Sequence, residues 1–239
     1  MITDIHSHIL PDIDDGAEDI EESLAMAEIA VAEGIGGIIC TPHALRGYEE
    51  IIGEAEEARR TLREALGKRN IPLKLYSGFE VYIAEQLLDY ESPEKLTLAG
   101  GQNILIETDF DRVPECMEEA LHLIRVSGLR PVLAHPERYL YLKKDFALCE
   151  MWKENGMLFQ INAGSLTGLY GSTAQKMARK LLKKGFADFI GTDAHSAGRR
   201  APRIQEAIRA GEKICKGNGM RKILEHNINL ITNIEAEEE

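Results

Sequence analysis

Ile2-Thr3-Asp4-Ile5-His6-Ser7-His8 is a short apolar run that ends in two histidines, and six further apolar runs follow it: Ile35 to Cys40, Leu73 to Tyr76, Ile104 to Ile106, Val132 to Ala134, Met157 to Ile161 and Phe186 to Ile190. Short runs of this kind, bounded by turn or polar residues, read as buried strands. Longer amphipathic stretches separate them. Asp19 to Glu33 opens with acidic residues and stops before Gly34, residues 48 to 69 are densely charged, and Thr173 to Lys184 ends in lysines before Gly185. Those are the charge and stop signals of helices. Residues 85 to 103, with Pro93 and Gly100-Gly101, read as a helix followed by an irregular excursion. Strands alternating with helices imply βα units around a mainly parallel sheet. The expected fold is α/β, a seven-stranded TIM-like (β/α)7 barrel.

A chain of 239 residues can bury the core of one such domain, and no repeat or linker divides it. Residues 1–239 therefore read as a single domain, with an acidic tail at about 235–239 expected to fray. No apolar run approaches the roughly 20 residues of a membrane span. The start lacks a basic region followed by an apolar one, so a cytoplasmic location is expected. Cys40, Cys116, Cys149 and Cys215 include no C-x-x-C pair and read as reduced thiols. A formal net charge of -12 disfavours nucleic acid as a partner. Carboxylates that bind metal would contribute to that charge too.

Nearly every expected strand ends in a residue able to hold a metal ion. His6 and His8 end the first, His43 follows the second, Glu80 the third, Glu107 the fourth, His135 the fifth, and Asp193 with His195 the last. The carboxyl ends of parallel strands meet on one rim, where such barrels build their sites. Asp4, His6 and His8 are two apart, so they share one side of a strand, roughly 6.6 Å between successive ones. Any one of these residues alone would more often be a solvated loop residue or a helix cap. Five of the seven histidines fall at strand ends, however, whereas His122 and His226 lie in helical patterns and read as surface. Mixed imidazole and carboxylate donors suit Mn, Fe or Zn better than Ca.

These residues resemble the PHP (polymerase and histidinol phosphatase) family, with its opening D-x-H-x-H and closing D-x-H. Ile5 to Pro11 followed by Asp14-Asp15-Gly16, then Thr41-Pro42-His43, Gly78-Phe79-Glu80, Ala134 to Arg138, Asn162 to Leu166 and Asp193-Ala194-His195 are similar to its bacterial manganese-dependent protein-tyrosine phosphatases, the branch associated with capsule and exopolysaccharide genes. The resemblance implies a distorted seven-stranded (β/α)7 TIM-like barrel, the PHP barrel, and a trinuclear site. By matching position, His6, His8, Glu80 and Asp193 would hold one ion; Glu80, Glu107 and His135 a second; Asp14, His43 and His195 a third. Asp12 and Asp15 stand beside Asp14, and spacing does not choose among the three. Arg138 and Arg200 match arginines that contact substrate phosphate; Arg199 and Arg203 adjoin Arg200, and Ser165 is a further candidate contact. The implied partner is an autophosphorylating bacterial tyrosine kinase. The chain departs from the branch where His43 is followed by Ala44 instead of a second histidine, and where Leu45 to Glu50 is short.

The expected chemistry is hydrolysis of a phosphate monoester: dications neutralise its oxygens and generate hydroxide from water near neutral pH, while arginines grip the phosphoryl group. A rival is Cys215-Lys216-Gly217-Asn218-Gly219-Met220-Arg221, which satisfies C-x5-R, the spacing of thiolate phosphatases. That motif needs a preceding strand, and Arg203 to Ile214 reads as a helix. Two other readings keep the metals: a PHP phosphatase for a small metabolite such as histidinol phosphate, and a noncatalytic metal-binding module.

Overall fold

The computed structural model describes residues 2–45, 47–215 and 217–235; the end of the acidic tail, residues 236–239, lies outside them. Its strands are β1 (Ile2–Ser7), β2 (Ile35–Cys40), β3 (His43–Ala44), β4 (Lys74–Ser77), β5 (Glu80–Tyr82), β6 (Asn103–Glu107), β7 (Arg130–Ala134), β8 (Leu158–Asn162) and β9 (Phe189–Gly191). All pairings are parallel. They form a three-stranded sheet in the order β1-β2-β4 and a six-stranded sheet in the order β3-β5-β6-β7-β8-β9. One curled parallel wall results, and it differs from seven unbroken staves. The two short strands, β3 and β5, begin at His43 and Glu80 and pair with each other there; two- and three-residue strands are too short to leave a hydrophobic pattern. Between β9 and β1 the wall is joined by a single bridge, Ser7 to Ala194.

Alternation along each strand divides the apolar side chains between two cores. Ile38, Ile104, Ile106, Leu133, Phe159, Ile161 and Ile190 face the surrounding helices. Ile5, Ile39, Leu105, Val132, Ala134 and Phe189 fill the interior, with Leu230 and Ile231 of the helix Gly219–Glu235. That helix plugs the end where the strands begin. Its Asn227 is fully buried, donates to the Thr3 and Ile190 carbonyls at 2.8 and 2.6 Å, and accepts from Ile190 N–H. It thus satisfies backbone groups at the β1–β9 junction, where the ladder is thin. Asn227→Ala is expected to lower unfolding free energy by about 1–3 kcal/mol, measured by urea denaturation.

The helices follow the sequence signals. Ile20–Ala32 is capped by the Asp19 side chain, which accepts from Glu22 N–H at 2.9 Å. Tyr48–Arg69 ends at Asn70, and Gly171–Lys184 at Gly185. The 85–103 excursion is a short helix, Glu85–Leu88, and two tight turns at Pro93–Leu96 and Leu98–Gly100. No helix among the described residues is long and apolar enough to cross a membrane.

Candidate metal centre

At the carboxyl end of the wall, donors from distant strands meet. His6 Nε2 and His8 Nε2 lie 3.2 Å apart. They face Glu80 Oε2 at 3.2 and 3.3 Å and Asp193 Oδ1 at 3.6 and 3.8 Å. The other oxygen of Glu80 is 2.9 Å from His135 Nε2, itself 3.4 Å from Glu107. His43 Nδ1 approaches Glu80 at 3.2 Å and Glu107 at 3.7 Å. On the far side, His43 Nε2 and His195 Nε2 are each 3.4 Å from Asp15 Oδ1. Four overlapping sets emerge, each with donor atoms within 4.8 Å of one another: His8, Asp15, His43 and His195; His6, His8 and Asp193; His6, Glu80 and His135; His43, Glu80 and Glu107.

Local backbone explains the convergence. Parallel register puts His43 beside Glu80. His135 and Asp193, just past β7 and β9, adopt left-handed φ values of 33° and 53°, a costly conformation for residues with a side chain. The loop after β1 folds back on its own strand, Ala17 N–H donating to the His8 carbonyl at 3.1 Å. Only glycine fits beside it at position 16, where a Cβ would lie 2.1 Å from the His8 carbonyl oxygen.

Hydrogen bonds behind the donors fix their orientation. His6 Nδ1 meets Gln160 Oε1 at 2.9 Å. Gln160 donates to Asn162 Oδ1, and Asn162 Nδ2 donates to Asp193 Oδ2 at 2.6 Å. A chain of amides therefore links His6 to Asp193 behind the donor atoms. Gln160 can only accept here, so His6 Nδ1 carries the proton and its Nε2 offers a lone pair. Asp14 does the same for His8, with Oδ2 2.6 Å from His8 Nδ1, and it accepts His43 and Gly16 N–H. In the aspartate loop, where spacing left three candidates, Asp14 meets these three partners and Asp15 stands in the donor group. Asp12 belongs to no donor set. Asp4, on the strand face of His6, instead accepts Thr192 N–H at 2.9 Å and binds the Thr192 hydroxyl, tying β1 to the turn after β9.

The pocket demands positive charge. Against the cost of burial, the imidazoles of His6, His135 and His8 hold Glu80 well below the usual carboxylate range. Burial and the adjacent Glu80 push Glu107 up to about 7. His8, although burial pulls it down, is held well above its ordinary value by Asp14 and Glu80. Burial, helped by Arg138, pulls His135 down to about 4, which favours its neutral, ligating form. Arg138 Nη1 and Arg200 Nη2 reach the two oxygens of Asp193, at 2.9 and 2.7 Å. Tyr170 adds a hydroxyl to Asp193 Oδ2 at 3.3 Å. Lone-pair nitrogens aimed at one another among buried carboxylates fit divalent cations: the His6–His8 approach is unfavourable unless a cation lies between the rings or a proton on one.

Residues 2–233 match the family described as "Capsular polysaccharide synthesis, CpsB/CapC". The chain belongs to the CpsB/CapC family. It is 37% identical over 212 residues to the tyrosine-protein phosphatase YwqE of Bacillus subtilis, covering 88% of this chain and 84% of that protein. It is 29% identical over 229 residues to the tyrosine-protein phosphatase CpsB of Streptococcus pneumoniae, covering 93% of each. A solved structure described among the "crystal structures of YwqE from Bacillus subtilis and CpsB from Streptococcus pneumoniae, unique metal-dependent tyrosine phosphatases" superposes with a TM-score of 0.90 at 33% identity, covering 97% of this chain and 95% of that one.

Other candidates in this CpsB/CapC chain lie apart from the donors. Ser165, the further candidate for a phosphate contact, is fully buried in the interior. Arg199 donates to the Leu169 carbonyl at 3.3 Å, and Arg203 is exposed; of the three neighbouring arginines, Arg200 is the one on Asp193. His122 and His226 are exposed on helices. Cys215 follows the helix Gln205–Ile214, burial raises its thiol pKa, and Arg221 is paired with Glu225. Among the described residues nothing there stabilises a thiolate. Cys215→Ser is expected to leave kcat/KM for an aryl phosphate unchanged; a large loss would revive the cysteine route. Gln160, Asn162 and Tyr170 were absent from the expected site. The first two had a signal, polar residues at alternate positions of an otherwise apolar strand, Phe159-Gln160-Ile161-Asn162.

Proposed function

We propose that this chain is a metal-dependent protein-tyrosine phosphatase that holds three divalent ions, with Mn first among Mn, Fe, Zn and Mg. The observation that carries the reading is Glu80, whose two oxygens face different imidazoles, beside an aspartate gripped by two arginines. His6, His8, Glu80 and Asp193 would hold one ion, Glu80, Glu107 and His135 a second, and Asp15, His43 and His195 a third. When bound, the ions would neutralise phosphoryl oxygens and lower the pKa of water. The surrounding wall reads as seven staves, β3 continuing β2 past Thr41-Pro42 and β5 continuing β4 past Gly78-Phe79.

The chain's own residues supply grip and alignment. Arg138 and Arg200 touch Asp193 through one terminal nitrogen each. Arg200 Nε is buried with no hydrogen-bond partner among the described residues. Spare N–H groups on both forks suit the equatorial oxygens of a phosphoryl group, which accept charge-assisted bonds in the plane of a guanidinium. No side chain need be phosphorylated in this scheme. The relatives' names point to phosphotyrosyl protein as the substrate, and the family description to capsule or exopolysaccharide synthesis. An autophosphorylating bacterial tyrosine kinase in the cytoplasm fits both as the partner.

A panel of phosphotyrosyl peptide, histidinol phosphate and a phosphodiester tests the substrate. The phosphotyrosyl peptide should show the highest kcat/KM; preference for histidinol phosphate would move the chain to small-metabolite hydrolysis, and no turnover at all would make it a metal-binding module. The aspartate loop gives a sharper test of the site. Asp15→Asn is expected to remove one metal equivalent by elemental analysis. Asp14→Asn should keep the count at saturating metal and weaken affinity by about 10–100-fold, as loss of an outer partner does.

A further inference from the structure

The rim of the pocket carries apolar surface that the donor cluster does not use. The exposed large hydrophobic residues among those described are Leu45, Phe110, Val126, Leu140 and Met151. Leu45, Phe110 and Leu140 each lie two or three positions beyond His43, Glu107 or Arg138. Single exposed apolar residues need no explanation, but Leu140 N–H donates to the Phe110 carbonyl at 2.7 Å, so these two are neighbours. Phe110 stacks on His135 with centroids 5.8 Å apart and planes 19° from parallel. The Arg138 guanidinium carbon lies 4.7 Å from the Phe110 centroid and 4.7 Å from that of Tyr170. An arginine poised for phosphate is therefore clamped between two rings, one of which keeps 36% of its surface open to solvent.

We propose that Phe110, flanked by Leu140, is the specificity-determining residue of this site, a shelf that receives the phenyl ring of a phosphorylated tyrosine while Arg138 holds the phosphoryl oxygens. The proposal rests on the phosphatase reading above. A tyrosyl ring is one ester oxygen removed from phosphorus, so gripping the phosphate at Arg138 carries the ring to the adjoining surface. Covering Phe110 with an aromatic ring removes apolar area from water and adds ring–ring attraction. A seryl or threonyl phosphate has no group that reaches the shelf. Selection among phosphate monoesters would then come from the rim, leaving the donor cluster indifferent to the leaving group.

Calorimetric titration of the metal-loaded protein with phenylphosphonate and with methylphosphonate separates ring binding from phosphoryl binding and needs no turnover. Phe110→Ala is expected to weaken phenylphosphonate about tenfold and methylphosphonate less than about twofold, with Phe110→Tyr restoring the aryl preference. Equal weakening of both ligands would mean that Phe110 merely props Arg138, and no change in either would mean that the ring binds elsewhere; both results overturn the proposal. Failure of the phosphatase reading would show separately, as absence of phosphotyrosyl turnover by the unaltered protein.

Discussion

Removal of divalent ions by a chelator, followed by transfer to metal-free buffer, is expected to abolish hydrolysis of a phosphotyrosyl peptide, and adding Mn back should restore it. The ions would supply several kcal/mol of charge stabilisation at the phosphoryl group, which corresponds to on the order of 10³-fold or more in rate. No side chain of the pocket could replace them. The arginines already lean on Asp193, and His6 and His8 need their lone pairs partnered. Alkylating the thiols, by contrast, should cost nothing, because burial raises the pKa of Cys40, Cys116, Cys149 and Cys215 and none lies among the donors. Activity that survived exhaustive metal removal would end the scheme.

Asp193→Asn should be the most damaging conservative substitution. The side chain keeps its shape, but its carboxylate serves Arg138, Arg200, Asn162 and Tyr170 at once, and an amide nitrogen would present N–H to donors. A metal donor is lost in the same step. The expected fall in kcat/KM is about 10²–10³, the range seen when one charge-stabilising group is removed. A circular dichroism spectrum should stay native, because the substitution keeps the turn's backbone bonds, Asp193 N–H to the His6 carbonyl and His8 N–H to the Ala194 carbonyl, while elemental analysis should show less bound metal. Native metal content with near-native turnover would contradict the placement of Asp193 at the centre.

Much of the fold was legible because a parallel strand buried on both faces is an unbroken apolar run. Ile35 to Cys40 was readable to the residue, and the acidic opening of Asp19 to Glu33 marked the helix found at Ile20–Ala32. Strands β3 and β5 were illegible for the opposite reason: His43–Ala44 and Glu80–Tyr82 are short and carry donors in place of apolar residues. Site residues set by strand ends were the ones that spacing could find. The aspartate loop was not, since Asp12, Asp14 and Asp15 differ only in how the chain turns around Gly16, and a turn that depends on contact with the His8 carbonyl cannot be read from neighbours in sequence. Ser165, a candidate phosphate contact by its motif, is buried on the short helix Ala163–Thr167. The rings of Phe110 and Tyr170, remote in sequence from Arg138, meet it only through tertiary folding.

Crystals grown with Mn and measured on both sides of its absorption edge test the central claim most directly, by locating the ions as anomalous peaks. Peaks at about 2.0–2.3 Å from donor atoms, with Glu80 touching two ions and Asp15, His43 and His195 sharing another, are the predicted result. An active crystal form whose Mn lies elsewhere, with His6, Glu80, His135 and Asp193 free of metal, would contradict it.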